Sequence, residues 1–330
     1  ALLAVFIYIT TNIFAQKQNI ESAAIALGLK QMVTREGPVM VIVKKYDELE
    51  DAKRYIDLAA KYPKTADDPK MWYYRGRTYL AIHEDPTREQ KIDPDAIEKS
   101  IKSFLNCLNK DVKKKYKDSA KVYLMQSAIA SFREGERLII DKDYNKAAML
   151  YNLVLKVIPF DTDKDLARNN VSDKLVFRNL ANINLSLNDY KKAKSYLQKL
   201  IDLNYNDPAI YKMISQLLMK EKDTTGALKY IEQGRSKFDD NIDLITEEIN
   251  LNLVLGRTEI LLSKLTDDIE KDPEYVVLYF SRAFLYEKNQ DFTKAETDYK
   301  KALEIDPYYY GANYGLAAMY YNKAVKIINK

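Results

Sequence analysis

Residues 276–309 read VVLYFSRAFLYEKNQDFTKAETDYKKALEIDPYY, and this stretch decides the fold. Tyr279, Ala283 and Tyr286 recur at i, i+4 and i+7, which places them on one face of a helix. Asn289, Gln290 and Asp291 interrupt the pattern with polar residues. A second helical face follows in Ala295, Tyr299 and Ala302, and Pro307 closes it. The small residues Ala283 and Ala295 let the two helices approach closely, and the tyrosines fill the space above and below them.

This unit resembles the tetratricopeptide repeat family. The family consensus has a period of 34 residues, with a large residue at position 4, a small one at 8 and a large one at 11. Small, aromatic, small and Pro follow at 20, 24, 27 and 32. The unit matches all seven. Residues 69–82, PKMWYYRGRTYLAI, supply Trp72, Gly76 and Tyr79 at positions 4, 8 and 11. An expanded loop around Asp85-Pro86 and Asp93-Pro94 precedes a partner helix carrying Ser100, Phe104 and Cys107. A unit near Ala128 gives Gly135, Leu138, Ala147, Tyr151, Val154 and Pro159. One near Lys174 gives Phe177, Ala181, Ala193 and Leu197. From Pro208 come Tyr211, Ser215, Ala227 and Ile231. The unit from Ile242 is degenerate, with Leu261 where a small residue is usual. A last unit opens at Tyr310 with Leu316, Ala317 and Tyr320, and the sequence given stops inside its helices.

The resemblance implies an all-α fold, an α-solenoid (right-handed superhelix) of antiparallel helix pairs of the tetratricopeptide type. The expected organisation is a signal-peptide remnant at 1–15, N-terminal helices at 16–68 and a repeat array at 69–330. Its units lie near 69–111, 128–161, 174–207, 208–241, 242–275, 276–309 and 310–330. Within 16–68, Ala52, Ile56 and Ala59 mark the second helix of a degenerate repeat, with its first helix expected around 18–32. GPVMVIV at 37–43 reads as a loop or a distorted helix start.

Composition agrees with this reading. Hydrophobic residues make up 47% and charged residues 30%, so the chain can bury a core. Only nine Gly and nine Pro occur, too few for the tight turns of a sheet-rich fold. The formal net charge of +4 comes from interleaved signs and not from a one-sided basic stripe, so no nucleic acid partner is expected.

Residues 1–15, ALLAVFIYITTNIFA, carry no charge and precede the polar QKQNIES. Their length fits the hydrophobic part of a secretory signal, with cleavage after Ala15; a buried helix or an uncleaved anchor are the alternatives. The phrases KTADDPKMWYYRG and GANYGLAAMYYNKAV resemble exported tetratricopeptide proteins of the Bacteroidota. The expectation is therefore a periplasmic or envelope-associated protein, touching a membrane only through an uncleaved N-terminus.

Catalytic and metal motifs are missing from the sequence. One Cys and one His exclude the usual zinc sets and triads, and Cys107 reads as a packing residue. His83, before Glu84-Asp85-Pro86, suits a helix C-terminus. Asp141-x-Asp143-x-Asn145 and Asp161-x-Asp163-x-Asp165 begin like calcium loops, but Lys146 and Leu166 replace the required glycine, so both read as polar turns. No metal, no cofactor and no enzymatic activity are expected.

The family resemblance implies a groove lined by first-helix positions 2, 5, 6, 9, 12 and 13. Carried over by position, these include Tyr73, Arg77, Phe132, Glu136, Arg178, Asn182, Lys212, Gln216, Phe280, Phe284 and Tyr314. Tyr73, Arg77, Arg178 and Phe280 are the expected energetic anchors. One member type clamps a C-terminal carboxylate with basic residues and Asn in three successive units. Here Met213, Asp243 and Glu247 depart from that pattern, and two acids would repel a carboxylate. The expected function is a non-enzymatic scaffold or adaptor for a protein or peptide partner. The alternatives are a structural subunit of an envelope assembly, or the interaction part of an enzyme whose catalytic domain lies beyond residue 330.

Overall fold

The structure, a computed structural model, describes residues 17–28, 32–34, 37–39, 45–85 and 93–328. The signal reading of 1–15, the second half of the 37–43 run and most of the expanded loop at 86–92 lie outside the described residues. The chain forms two compact units, Ala1–Asp189 and Tyr190–Lys330. The division falls inside the 174–207 repeat.

The first unit holds α1 (17–26), β1 (Met32–Thr34), β2 (Gly37–Val39), α2 (Lys45–Ala60), α3 (Pro63–Ala66) and α4 (Pro69–Glu84). It continues through α5 (Ala96–Lys110), α6 (Lys117–Ile140), α7 (Tyr144–Val157), α8 (Asp165–Arg168) and α9 (Asp173–Ser186). The second unit holds α10 (Tyr190–Asp202), α11 (Ala209–Lys220), α12 (Thr224–Arg235) and α13 (Ile242–Val254). It ends with α14 (Thr258–Lys271), α15 (Val276–Lys288), α16 (Phe292–Ile305) and α17 (Tyr310–Ile328). Successive helices pack in order, α4 on α5, α5 on α6 and α6 on α7 in one unit, α11 on α12 through to α16 on α17 in the other. First helices also touch, as α4 meets α6, and α13 meets both α11 and α15. Each unit is thus a stretch of α-solenoid in which no pair closes its own core.

The packing rule is visible at the glycines. A Cβ on Gly76 would lie 2.6 Å from the ring of Phe104, and one on Gly135 would lie 2.9 Å from that of Tyr151. Position 8 is small because the aromatic of the partner helix lies flat against its backbone. Ala181, Ala193, Ala227, Ala283, Ala295, Ala302, Ala147 and the rings of Tyr79, Tyr151 and Tyr299 are buried. Tyr279 is buried, and Trp72 and Tyr286 are half-buried. Trp72 donates its indole N–H to the Ala66 carbonyl at 2.7 Å, tying α3 to α4. Pro159 and Pro307 stay exposed beyond α7 and α16, where they end a helix and fill no core.

The turn inside each helix pair recurs five times. Lys142, Asn188, Lys222, Gly256 and Gln290 adopt φ between 57° and 67°. The next residue donates its backbone N–H back to Leu138, Asn184, Leu218, Asn252 and Tyr286 respectively, the six-to-one bond of a Schellman ending. In four of these turns that next residue is an Asp, and it caps the second helix where Asp143 accepts from Lys146 N, Asp223 from Gly226 N and Asp291 from Lys294 N. The degenerate 242–275 unit keeps the turn through Gly256, but Arg257 gives α14 no side-chain cap.

A half-buried arginine at repeat position 7 binds three helices together. Arg282 on α15 forms a two-point pair with Asp298 on α16, at 2.7 and 2.9 Å, and donates to Thr266 on α14. Arg75 on α4 donates to Asp57 on α2 and to Ser103 on α5. The acid and the hydroxyl have exchanged helices, and the bridge recurs.

Two expectations are corrected. Residues 37–39 are not a distorted helix start but a strand, paired antiparallel with Met32–Thr34 in the register Met32 to Val39. Pro38 cannot donate to a helix, and it biases Gly37 toward extended backbone. The first helix spans 17–26 and does not reach residue 32. It still packs as expected, with Ile20 and Ala23 against Ile56, Ala59 and Met71. α6 is 24 residues long and starts well before Ala128. No described helix is long and apolar enough to cross a membrane.

Two thermodynamic outcomes follow. Lys222→Gly relieves a left-handed lysine and raises the stability of the second unit by about 0.5–1 kcal/mol, whereas Asp223→Ala lowers it by about 1 kcal/mol, both read from urea melts. Asp298→Ala leaves the half-buried Arg282 guanidinium without its acid and costs about 1–3 kcal/mol, read from the same melts; a loss under about 0.5 kcal/mol would show that the bridge is dispensable.

Candidate protein-binding cleft

In the first unit, α6, the α8–α9 turn and α9 enclose a cleft of about 410 Å³. Phe132, Arg133 and Glu136 enter from α6, and Leu175, Arg178 and Asn179 from α9. Asn169, Asn170 and Val171 close one end. Asn170 sits at φ 58°, a left-handed conformation Asn tolerates, and this turns the chain between α8 and α9. Ser172 then caps α9 by accepting from Leu175 N.

The polar groups of the cleft are largely unspent. Arg133, Glu136 and Arg178 make no ion pair with a described residue, and all three are exposed. Asn179 donates to the Tyr151 hydroxyl at 2.9 Å, which fixes its carboxamide at the cleft wall. Burial, and the charge of Glu136 beside it, push the Tyr151 hydroxyl well above the usual phenol range, so it stays protonated. Two guanidinium groups against one carboxylate leave the cleft with an excess positive charge, flanked by amides able to donate and accept.

The structure brings Phe132, Glu136 and Arg178 together here, as their repeat positions suggest. Asn182, one turn further along α9, is exposed but does not line the cleft. Phe132 is only 6% exposed and Phe280 only 3%, so neither is a free groove anchor. Each ring has turned onto the aromatic of its own partner helix. Phe132 meets Tyr151 edge-on at 5.4 Å, and Phe280 sits between Tyr299 and Tyr309.

Tyr73 and Arg77 belong to a second cluster. The Tyr73 ring packs against Tyr74, Phe104, Tyr116 and Tyr123, and the Arg77 guanidinium lies 4.0 Å over Tyr123. Desolvation pushes the Tyr116 hydroxyl up to about 12. In the second unit, Lys212 is engaged with Asp243 at 2.9 Å, and Gln216 is exposed. Phe284 is half-buried beneath Lys288, and Tyr314 is exposed and stacked on Tyr310. Sequence reasoning left out Arg133, Leu175 and Asn179, although they occupy the groove positions 6, 2 and 6. It had no means of finding Asn169 and Asn170, which lie in a turn outside the 34-residue period.

The calcium-like loops are capping turns. Asp143 caps α7, and both carboxylate oxygens of Asp161 accept backbone N–H groups, from Asp165 and Leu166. His83 lies in the last turn of α4. Among the described residues no group of His, Cys, Asp and Glu is placed to hold a metal.

Residues 276–309 and residues 179–207 each match a family model described as "Tetratricopeptide repeat". These matches and the recurring helix pairs support a tetratricopeptide-repeat protein. No curated protein matches the chain. Among solved structures, one described as YrrB, a TPR protein with an unusual peptide-binding site, is 16% identical with a TM-score of 0.34, over 65% of this chain and 97% of that one. MamA gives 16% and 0.36, over 55% and 92%. Pseudomonas aeruginosa pilF gives 16% and 0.31, over 80% and 95%.

Burial pushes the Cys107 thiol up to about 12, with Asp111 and Asp68 adding to the effect. An acid whose pKa is raised by folding contributes stability that is full below its unfolded value and is lost as pH rises through the folded one. Cys107 and Tyr116 should therefore make the first unit progressively less stable from pH about 9 toward 12. Cys107→Ala should remove the earliest part of that decline, and native Cys107 should resist a thiol reagent at pH 8 until urea unfolds the chain. Rapid native labelling would contradict the burial.

Proposed function

We propose that this protein is a non-enzymatic interaction scaffold that holds an extended, acidic protein segment in the cleft between α6 and α9, in the periplasm or cell envelope. The observation that carries the reading is the pair of arginines, Arg133 and Arg178, without an ion pair among the described residues, facing one cleft with Asn179. Guanidinium groups bind carboxylates through paired N–H donors, and amides hold an extended backbone that has no helix of its own to satisfy it. Clefts of this kind between stacked helices are the usual binding surface of repeat arrays. Export is supported by the uncharged apolar stretch 1–15 followed by the polar QKQNIES. The test is peptide display against the protein, followed by affinity measurement on the selected sequences. Acidic peptides should be enriched, and Arg133→Glu or Arg178→Glu should weaken them at least about tenfold with the fold intact. Selection of peptides indifferent to both variants would end this reading. A periplasmic reporter fused after the full chain tests export; a purely cytoplasmic signal would refute it.

A structural-subunit role is favoured by a different surface. Tyr310, Tyr314 and Tyr321 on α17 are largely exposed, as an aromatic face awaiting a neighbouring helix would be. That reading expects a large complex that survives Arg178→Glu and dissociates on Tyr314→Ala with Tyr321→Ala.

A further inference from the structure

The loop between α5 and α6 carries Val112, Lys113, Lys114, Lys115 and Tyr116, and α6 opens on Lys117, so four lysines fall within six residues with no acid among them before Asp118. Val112 is 88% exposed, and all four lysines are exposed. The loop is held from beneath by buried Asp111, whose carboxylate accepts the backbone N–H groups of Lys115 and Tyr116 at 3.0 and 2.6 Å. Lys114 turns the chain at φ 55°. This anchoring forces residues 112–114 outward.

The chain contains its own comparison. The loop before α8 is built the same way. Asp161 accepts the N–H groups of Asp165 and Leu166, and Lys164 turns the chain at φ 59°. At the outward positions it carries Thr162, Asp163 and Asp165 in place of Val112, Lys113 and Lys115. The backbone device therefore demands neither the apolar tip nor the positive charge of residues 112–117. An exposed valine has no gain in water. It gains when it leaves water, and the lysines around it select an anionic surface.

We propose that the α5–α6 loop is a peripheral contact for an anionic lipid surface, with Val112 entering the interface and Lys113, Lys114, Lys115 and Lys117 meeting the headgroups. An acidic protein or a nucleic acid would use the lysines but leave the valine exposed, which is why the lipid surface is favoured. This contact is independent of the α6–α9 cleft and of the fate of residues 1–15. Each lysine is worth about fivefold in affinity near such a surface.

The test places an environment-sensitive fluorophore on Val112→Cys in the full chain; the buried Cys107 leaves the new thiol as the reactive one. Addition of vesicles containing about a third phosphatidylglycerol should blue-shift and brighten the probe, while phosphatidylcholine vesicles should not. Ile140→Cys, at a site 80% exposed elsewhere in the same unit, should stay silent. Adding Lys113→Glu and Lys117→Glu should weaken the response at least about 25-fold, and raised salt should reduce it. A probe at 112 that does not respond, that responds equally to neutral vesicles, or that ignores the two charge reversals overturns the proposal. So does a response to an acidic polymer such as heparin without one to vesicles.

Discussion

The contact between a small residue on one helix and an aromatic ring on the next sets the rest of this structure. Gly76 lies against Phe104 and Gly135 against Tyr151, closer than a methyl group would allow, and Ala283 and Tyr299 are fully buried in one core cluster. Close approach removes the backbone of the first helix from water on one side and leaves its other face uncovered. That uncovered face must then be closed by the following pair or serve as a binding surface. The polar groups at the end of each helix have to be satisfied locally, because the described links between the two helices of these pairs are short. The recurring turn does this, ending one helix with a left-handed residue and starting the next with an aspartate.

The fold was legible because these constraints repeat. Tyr279, Ala283, Tyr299 and Ala302 state both faces of one helix pair, and weaker copies repeat the statement along the chain. Legibility failed where the period failed. The hairpin at 32–39 is a short local choice forced by Gly37-Pro38, and the roughly three extra turns of α6 before Ala128 lie between periods. Of the residues carried over by position, Phe132, Glu136 and Arg178 line one cleft, but their exposure was not legible. At position 5 an aromatic gains more by turning onto the partner helix than by staying wet, as Phe132 and Phe280 do. Charged residues at the same position have no such option. Arg178 remains exposed, and so a groove prediction from position alone is safer for arginine than for phenylalanine.

Half-buried polar groups obey the same economy of geometry. The position-7 arginines, Arg75 and Arg282, each reach a carboxylate and a hydroxyl on two different helices, and the two units have reversed which helix supplies which. A guanidinium fork is indifferent to that exchange, because it offers donors in both directions. The bridge recurs with different partners, two-point at Arg282 and single-point at Arg75, which is why spacing of apolar residues reveals the helices and says nothing of what locks them.

The same separation between what a fold requires and what it permits distinguishes the functional surfaces. Asp111 and Asp161 perform one task, tying down the backbone of a loop, and both are fully employed in it. The residues those loops push outward carry no structural duty, so their chemistry is free to differ, and it differs in sign and in polarity. Arg133 and Arg178 stand in the same relation to α6 and α9: neither packs the core nor caps a helix, and neither pairs with a described acid. A costly exposed valine at a loop tip and two arginines without a described ion pair across one cleft are choices that folding alone leaves unexplained, and an external partner gives each of them a reason.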